Sequence, residues 1–147
     1  MWIFYKIANF FHYIPKRIKW FFQRGIRGYS DIDVWDISYW FENTIIPMLK
    51  QLKKGKHGYP MGMTEKEWDM ILDNMICYFE ESTKKYCSEK NEYEEEYTKD
   101  LLNDNEEFNK SVRNRWLKRE EEISRYRINM KNKALKLFSK YYYDLWD

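Results

Sequence analysis

The sequence predicts an all-α protein, a bundle of four to five helices with a long C-terminal helix. Three observations carry that expectation. The chain has 5 Gly and 3 Pro in 147 residues, little material for turns. It has 29 aromatic residues (7 Trp, 13 Tyr, 9 Phe), a large supply of packing surface. Its apolar side chains recur at three- and four-residue steps, the period of a helix buried on one side. A chain of this length is in the usual range for one domain, so 1–147 reads as a single helical domain.

The first segment places Ile3, Ile7, Phe10 or Phe11, Ile14, Ile18 and Phe21 or Phe22 on one helical face. Pro15 lacks an N–H and crowds the preceding turn, which predicts two short helices meeting near 13–15 within a broken basic and aromatic stretch, 1–28. Gly25 and Gly28 flank Arg27 in an expected turn. Ser30 followed by Asp33, with Asp31 between, reads as a cap with carboxylates in the first turn, so a helix is expected over 31–54. Pro47 interrupts its ladder and predicts a bend near Asn43. Lys50, Lys53 and Lys54 suit its negative end, and Gly55 follows. The loop from Gly55 to Met63 holds three of the five glycines. Thr64 with Glu67 forms a capping box opening a helix over 65–86, whose apolar stripe is Trp68, Ile71, Leu72, Met75, Ile76 and Phe79. Residues 87–107 read as an acidic connector, as a solvated helix or as a poorly ordered segment. From Phe108 a single long helix is expected to 145.

Charge is sorted by position although the total is only +2. Before Asp31 there are six bases (Lys6, Lys16, Arg17, Lys19, Arg24 and Arg27) and no acid. Between Glu80 and Glu107 eleven acids face four bases, and between Phe108 and Lys140 eleven bases face three acids. Opposite blocks can neutralise each other by folding together or by assembling between chains, and either route leaves less field for a polyanion. A nucleic-acid partner is therefore possible and not favoured.

No catalytic, cofactor or metal constellation is visible. His12 and His57 are far apart, Cys77 and Cys87 stand without a second pair, and two free thiols fit a reducing cytosol. Asp31, Asp33 and Asp36 are accounted for by a helix start rather than by a cation. The N-terminal stretch is neither a signal peptide nor long enough to span a bilayer. Its aromatics and bases suit three roles: core packing with solvated charges, a helix lying on an anionic membrane, or stacking and phosphate contacts to a nucleotide or single strand.

The candidate ligand-binding residues are Arg24, Arg27, Tyr29, Lys56, His57 and Tyr59, in or beside the two glycine-containing connections. Guanidinium forks bind phosphate bidentately and tyrosine faces stack on bases, so the expected ligand is a phosphorylated small molecule. The two connections lie at opposite ends of the 31–54 helix, and two antiparallel copies of the chain would bring them together. Exposed aromatics at both termini likewise suggest a homo-oligomer.

Several segments, Arg27-Gly28-Tyr29-Ser30-Asp31 with Trp35, Ile46 to Lys50, Gly58-Tyr59-Pro60, Thr64 to Asp69 with Ile71 and Leu72, Leu137 to Tyr141 and Leu145-Trp146, cover about half of the chain. In that order they resemble a family of small proteins encoded in tailed-bacteriophage genomes. The resemblance implies a phage origin and a place in the host bacterial cytoplasm, and brings no activity or site residues. The function expected is that of a non-enzymatic binding protein acting during infection, holding a nucleotide-like molecule or blocking a host protein. A virion or scaffold protein and a nucleic-acid binder are the alternatives.

Overall fold

The computed structural model describes the backbone of residues 2–102 and 110–146 and the side chains of 15–102 and 110–146. Among the described residues the fold is all-α: α1 (Trp2–Arg27), α2 (Ile37–Gly55), α3 (Glu65–Ser82), α4 (Glu94–Leu102) and α5 (Lys110–Lys140). Short 3-10 turns lie at Asp33–Trp35, between α1 and α2, and at Tyr142–Asp144, after α5. No helix among the described residues is long and apolar enough to cross a membrane. The chain divides into two compact units, Met1–Thr44 and Ile45–Asp147.

In the first unit, α1 runs unbroken through Pro15, where a break is expected from the sequence. A proline inside a helix removes one ladder bond, and the helix continues across it. Gly25 is helical too. The helix stops at Gly28, whose φ of +80° is the left-handed conformation that glycine adopts without strain, and whose N–H reaches the Arg24 carbonyl at 3.0 Å.

The helix expected from Asp31 begins instead at Ile37. Asp36 caps it, accepting from the Tyr39 N–H at 2.9 Å and from the Ser38 hydroxyl at 2.7 Å. Asp31 and Asp33 are drawn back onto the end of α1. Asp33 takes the Arg24 guanidinium on both oxygens (2.9 and 2.5 Å) and the Ser30 N–H and hydroxyl (2.7 Å each). Asp31 takes Arg27, Lys19 at 2.8 Å and the Gln23 amide at 2.8 Å. Ser30 is fully buried by this arrangement, and it is the only buried residue among the described side chains up to Thr44.

Arg24 first, then the Ser30 hydrogen bonds, hold the Asp33 carboxyl well below the usual carboxylate range. A carboxyl whose folded pKa is depressed stabilises the fold above its unfolded value, about 3.9, and that contribution disappears as pH falls through the folded value. The elbow after α1 will therefore loosen on acidification below about pH 4. An Arg24→Ala variant should lack that acid step in amide exchange of residues 28–35, and an unchanged step would assign it to other carboxylates.

The second unit holds the core. Ile46 and Leu49 on α2, Trp68, Leu72, Met75, Ile76 and Phe79 on α3, and Val112, Ile123, Met130 and Ala134 on α5 are buried, with Cys87 and Tyr141. Buried α5 positions are spaced by four, seven and eleven residues, one stripe of a helix that packs along α3. Both thiols are free, Cys77 exposed and Cys87 buried.

Three lysines at and just after the end of α2 make four ion pairs with α3: Lys50 to Glu80 and Lys53 to Asp73, each at 2.5 Å, and Lys56 to Asp69 at 3.1 Å and Glu65 at 3.3 Å. Rising numbers on α2 meet falling numbers on α3, so the two run antiparallel. Lys50 and Lys53, expected to serve the helix dipole, pair with the neighbouring helix.

The capping box opens α3 as the sequence predicts, with Thr64 Oγ1 accepting from the Glu67 N–H and Glu67 accepting from the Thr64 N–H at 2.7 Å. Thr64→Ala should cost about 1 kcal/mol, read as a shift in the urea midpoint at constant slope. The helix ends at Ser82 rather than 86 because Thr83 is extended and turns its hydroxyl back to the Glu80 carbonyl at 2.9 Å.

The acidic connector contains α4, which packs on basic α5. Arg119 donates to Glu89 at 2.7 Å and Glu92 at 2.9 Å, and Arg115 to Glu96 at 2.8 Å. Tyr97 stacks on Trp116 with centroids 4.3 Å apart, and the Trp116 N–H donates to Glu94 at 2.6 Å. Opposite charge blocks thus meet within one chain. Residues 103–109 of the connector lie outside the described residues. α5 closes at Lys140, short of the expected 145, and Tyr142–Asp144 form a 3-10 turn with the Asp144 N–H on the Tyr141 carbonyl at 2.9 Å.

Candidate functional site

The six candidate residues fall into two groups, one in each unit. Arg24, Arg27 and Tyr29 belong to the first, where they are brought together. The Arg27 guanidinium lies 4.6 Å from the centre of the Tyr29 ring, donates to the Tyr29 carbonyl at 3.0 Å and pairs with Asp31, while Arg24 is held by Asp33. Both forks that were to receive a phosphate already grip carboxylates.

Lys56, His57 and Tyr59 belong to the second unit, on the glycine-rich loop between α2 and α3. The Lys56 side chain is only 7% exposed. Asp69 first, and then Glu65, push its ammonium pKa up, the mark of a cation committed to its partners. A phosphate would have to displace those two carboxylates.

His57 and Tyr59 instead border a pocket of about 630 Å³. The loop supplies one wall, with Pro60 and Met61. Trp68, from the first turn of α3, and the chain end after α5, with Asp144 and Trp146, supply the rest. The volume falls within the range of about 300–1,000 Å³ common for small-molecule sites.

Each wall has a local cause. The capping box places Trp68 one residue after Glu67 on the inward face of α3, where it is 1% exposed and meets the Tyr141 ring edge-on at 5.6 Å. The 3-10 turn after Tyr141 brings Asp144 and Trp146 back over the same end of α3. In the loop, Gly62 adopts φ +86°, and the Met63 N–H closes a turn on the Pro60 carbonyl at 3.2 Å. Tyr59, Met61 and Trp146 remain largely exposed to solvent at the rim.

The rings of Tyr59, Trp68 and Trp146, the His57 imidazole and one carboxylate make a site of a particular polarity. Ring faces carry negative quadrupole density, and Asp144 adds a negative charge, so the pocket attracts cations and flat apolar groups and repels anions. Sequence reasoning found His57 and Tyr59 and missed Trp68, Asp144 and Trp146. Trp68 was legible only as part of a core stripe, and no spacing rule connects it with a residue 78 positions later.

A second, smaller hollow of about 200 Å³ lies between α5 and the segment before α4, around Arg115, Arg119, Glu92 and Glu122. Arg119 bridges it to Glu92 at 2.9 Å and also stands 3.4 Å from Glu122 on its own helix, so it reads as the seam that docks the acidic segment. Among the described residues no group of three metal-donating side chains clusters.

No protein family, no curated protein and no solved structure matches this chain.

Proposed function

We propose that this chain is a non-enzymatic binding protein for a small, flat organic molecule, uncharged or positively charged, held in the pocket of Tyr59, Trp68 and Trp146. The pocket's polarity carries this reading: the rings of Tyr59, Trp68 and Trp146 and the Asp144 carboxylate beside the His57 imidazole, with the neighbouring Lys56 already paired to Asp69 and Glu65. The same polarity moves the ligand away from the phosphorylated compound that the residue types alone suggest. The resemblance to small phage-encoded proteins supports placing the capture of this molecule in the cytoplasm of an infected bacterium.

The test is a panel of quaternary ammonium compounds, heteroaromatic cations, neutral heterocycles, nucleosides and nucleotides, screened by thermal shift and followed by calorimetry. Binding by the cationic or neutral ring compounds is expected, with a nucleotide weaker than its nucleoside. Trp146 is 71% exposed, so Trp146→Ala should weaken the ligand about tenfold through the lost ring contact while leaving the melting temperature unchanged. Asp144→Asn should weaken cations and spare neutral ligands. A nucleotide that binds more tightly than its nucleoside, or no binding by any ring compound, would refute the assignment.

A further inference from the structure

The described part of the first unit buries no apolar side chain, yet it is rich in them. On α1, Ile18, Phe21, Phe22 and Ile26 are all exposed, Phe21 by 73% and Ile26 by 85%. At 100° per residue these four fall within an arc of about 140°, and Gly25 lies among them. Lys16, Arg17, Lys19, Gln23, Arg24 and Arg27 occupy the remaining arc, Arg17 and Lys19 at its two borders. No charged residue between 15 and 27 enters the apolar arc, and in the basic arc the half-buried Trp20, between Arg27 and Arg24, is the one apolar side chain. The sequence continues the same period backwards through Ile14, Phe11, Ile7 and Ile3, over backbone that is helical from Trp2.

A helix of 26 residues is about 39 Å long at 1.5 Å per residue. That would cross a bilayer if it were apolar all round, but half of its circumference is charged, and it does not qualify as a span. An apolar arc facing a cationic one is instead the pattern of a helix that lies in the plane of a lipid surface, its rings in the acyl boundary and its bases among the headgroups. Lysine and arginine at the two borders of the arc reach the headgroup level while their stems lie on apolar surface.

Charge decides between a lipid surface and a second copy of the chain. The helix carries six bases and no acid, and the next acids along the chain, Asp31 and Asp33, cancel only two of them. Two such helices packed on each other would set like charges along both flanks of the contact. Anionic headgroups are complementary to the same charges and gain about 1 kcal/mol per base near the surface, which is roughly fivefold in affinity.

We propose that α1 is a membrane-surface helix that lays Ile18, Phe21, Phe22 and Ile26 into an anionic lipid bilayer. The exposed apolar residues that follow, Val34, Trp35 and Ile37, belong to the same unit and extend its apolar surface. This inference is independent of the ligand pocket, which lies wholly in the other unit.

The experiment is co-sedimentation of the full chain with vesicles of phosphatidylcholine alone and of phosphatidylcholine mixed with phosphatidylglycerol, at low and high salt, alongside sedimentation velocity of the protein by itself. Binding to the mixed vesicles, weakened by salt and much lower on phosphatidylcholine alone, is the expected result. Phe22→Asp with Ile26→Asp should reduce it at least about tenfold without changing helix content, since both side chains are exposed. Arg17→Glu should reduce it on the mixed vesicles only. Trp146→Ala should leave it untouched. Absence of vesicle binding would overturn the proposal, and so would binding that ignores both lipid charge and the Phe22 and Ile26 substitutions. An oligomer that those two substitutions dissociate, with no vesicle binding, would assign the apolar face to a second copy of the chain.

Discussion

Replacing Trp68 with alanine is expected to cost about 3–5 kcal/mol of stability, the usual range for truncating a fully buried large aromatic. The side chain is 1% exposed and is one of the largest in the core. Its removal loses the transfer free energy of an indole, leaves a cavity that neighbouring helices fill only in part, and deletes the edge contact to Tyr141 at 5.6 Å. A domain has a total stability of about 5–15 kcal/mol, so the change takes a large fraction of it. Urea unfolding followed by far-ultraviolet circular dichroism reads the loss without relying on the deleted fluorophore. Ligand affinity should fall with it, because the same indole borders the pocket. A cost under about 1 kcal/mol would show that Trp68 does not pack as described, since surface positions behave that way.

Phe79→Ala is the paired experiment, with an expected cost of the same size, about 3–5 kcal/mol. Phe79 is likewise 1% exposed and meets the Phe138 ring edge-on at 6.1 Å. It stands eleven residues further along α3, about 16 Å from Trp68 at 1.5 Å per residue, and does not border the pocket. The variant should therefore lose stability and keep its ligand affinity, measured at a temperature where both proteins remain folded. The two variants together separate loss of the fold from loss of the site. Equal damage to binding by both would mean that the pocket only reports global stability, and the pocket assignment would fail.

The elements differ in how far they could be read in advance. α3 was legible at its start because its signal is local: Thr64 and Glu67 are three residues apart and satisfy each other's backbone. The α3 stripe from Trp68 to Phe79 was legible because burial on one side of a helix imposes a period on the sequence. The start of α2 was misplaced by six residues, since Ser30-x-x-Asp33 and Asp36-x-x-Tyr39 offer similar cap chemistry, and only the presence of Arg24, Arg27 and Lys19 draws the first pair of acids away. Pro15 predicts a break because proline weakens any helix, but it removes only one ladder hydrogen bond and α1 stays helical across it. α4 was the least legible, because a short run of Glu94 to Leu102 has no stable reason to be helical until Arg115, Trp116 and Arg119 stand opposite.

The site divides in the same way. His57 and Tyr59 could be picked out because a glycine-rich loop displays them, whereas Trp68 borders the pocket from α3 and Asp144 and Trp146 reach it only through the turn that follows α5. Arg24, Arg27 and Lys56 stand out in the sequence by their charge, and charge alone does not reveal whether a cation is already paired.

By itself, the sequence determined that this protein is all-α, where its best-capped helix begins, which side chains share a helical face, and that basic and acidic blocks are separated along the chain. Tertiary structure alone decided which carboxylate holds which base, that α4 forms against α5, and that residues from the loop and the chain end enclose one pocket with Trp68. The reason is that periods and caps are written within a few residues of one another, while a partner's identity depends on which segments the core brings face to face.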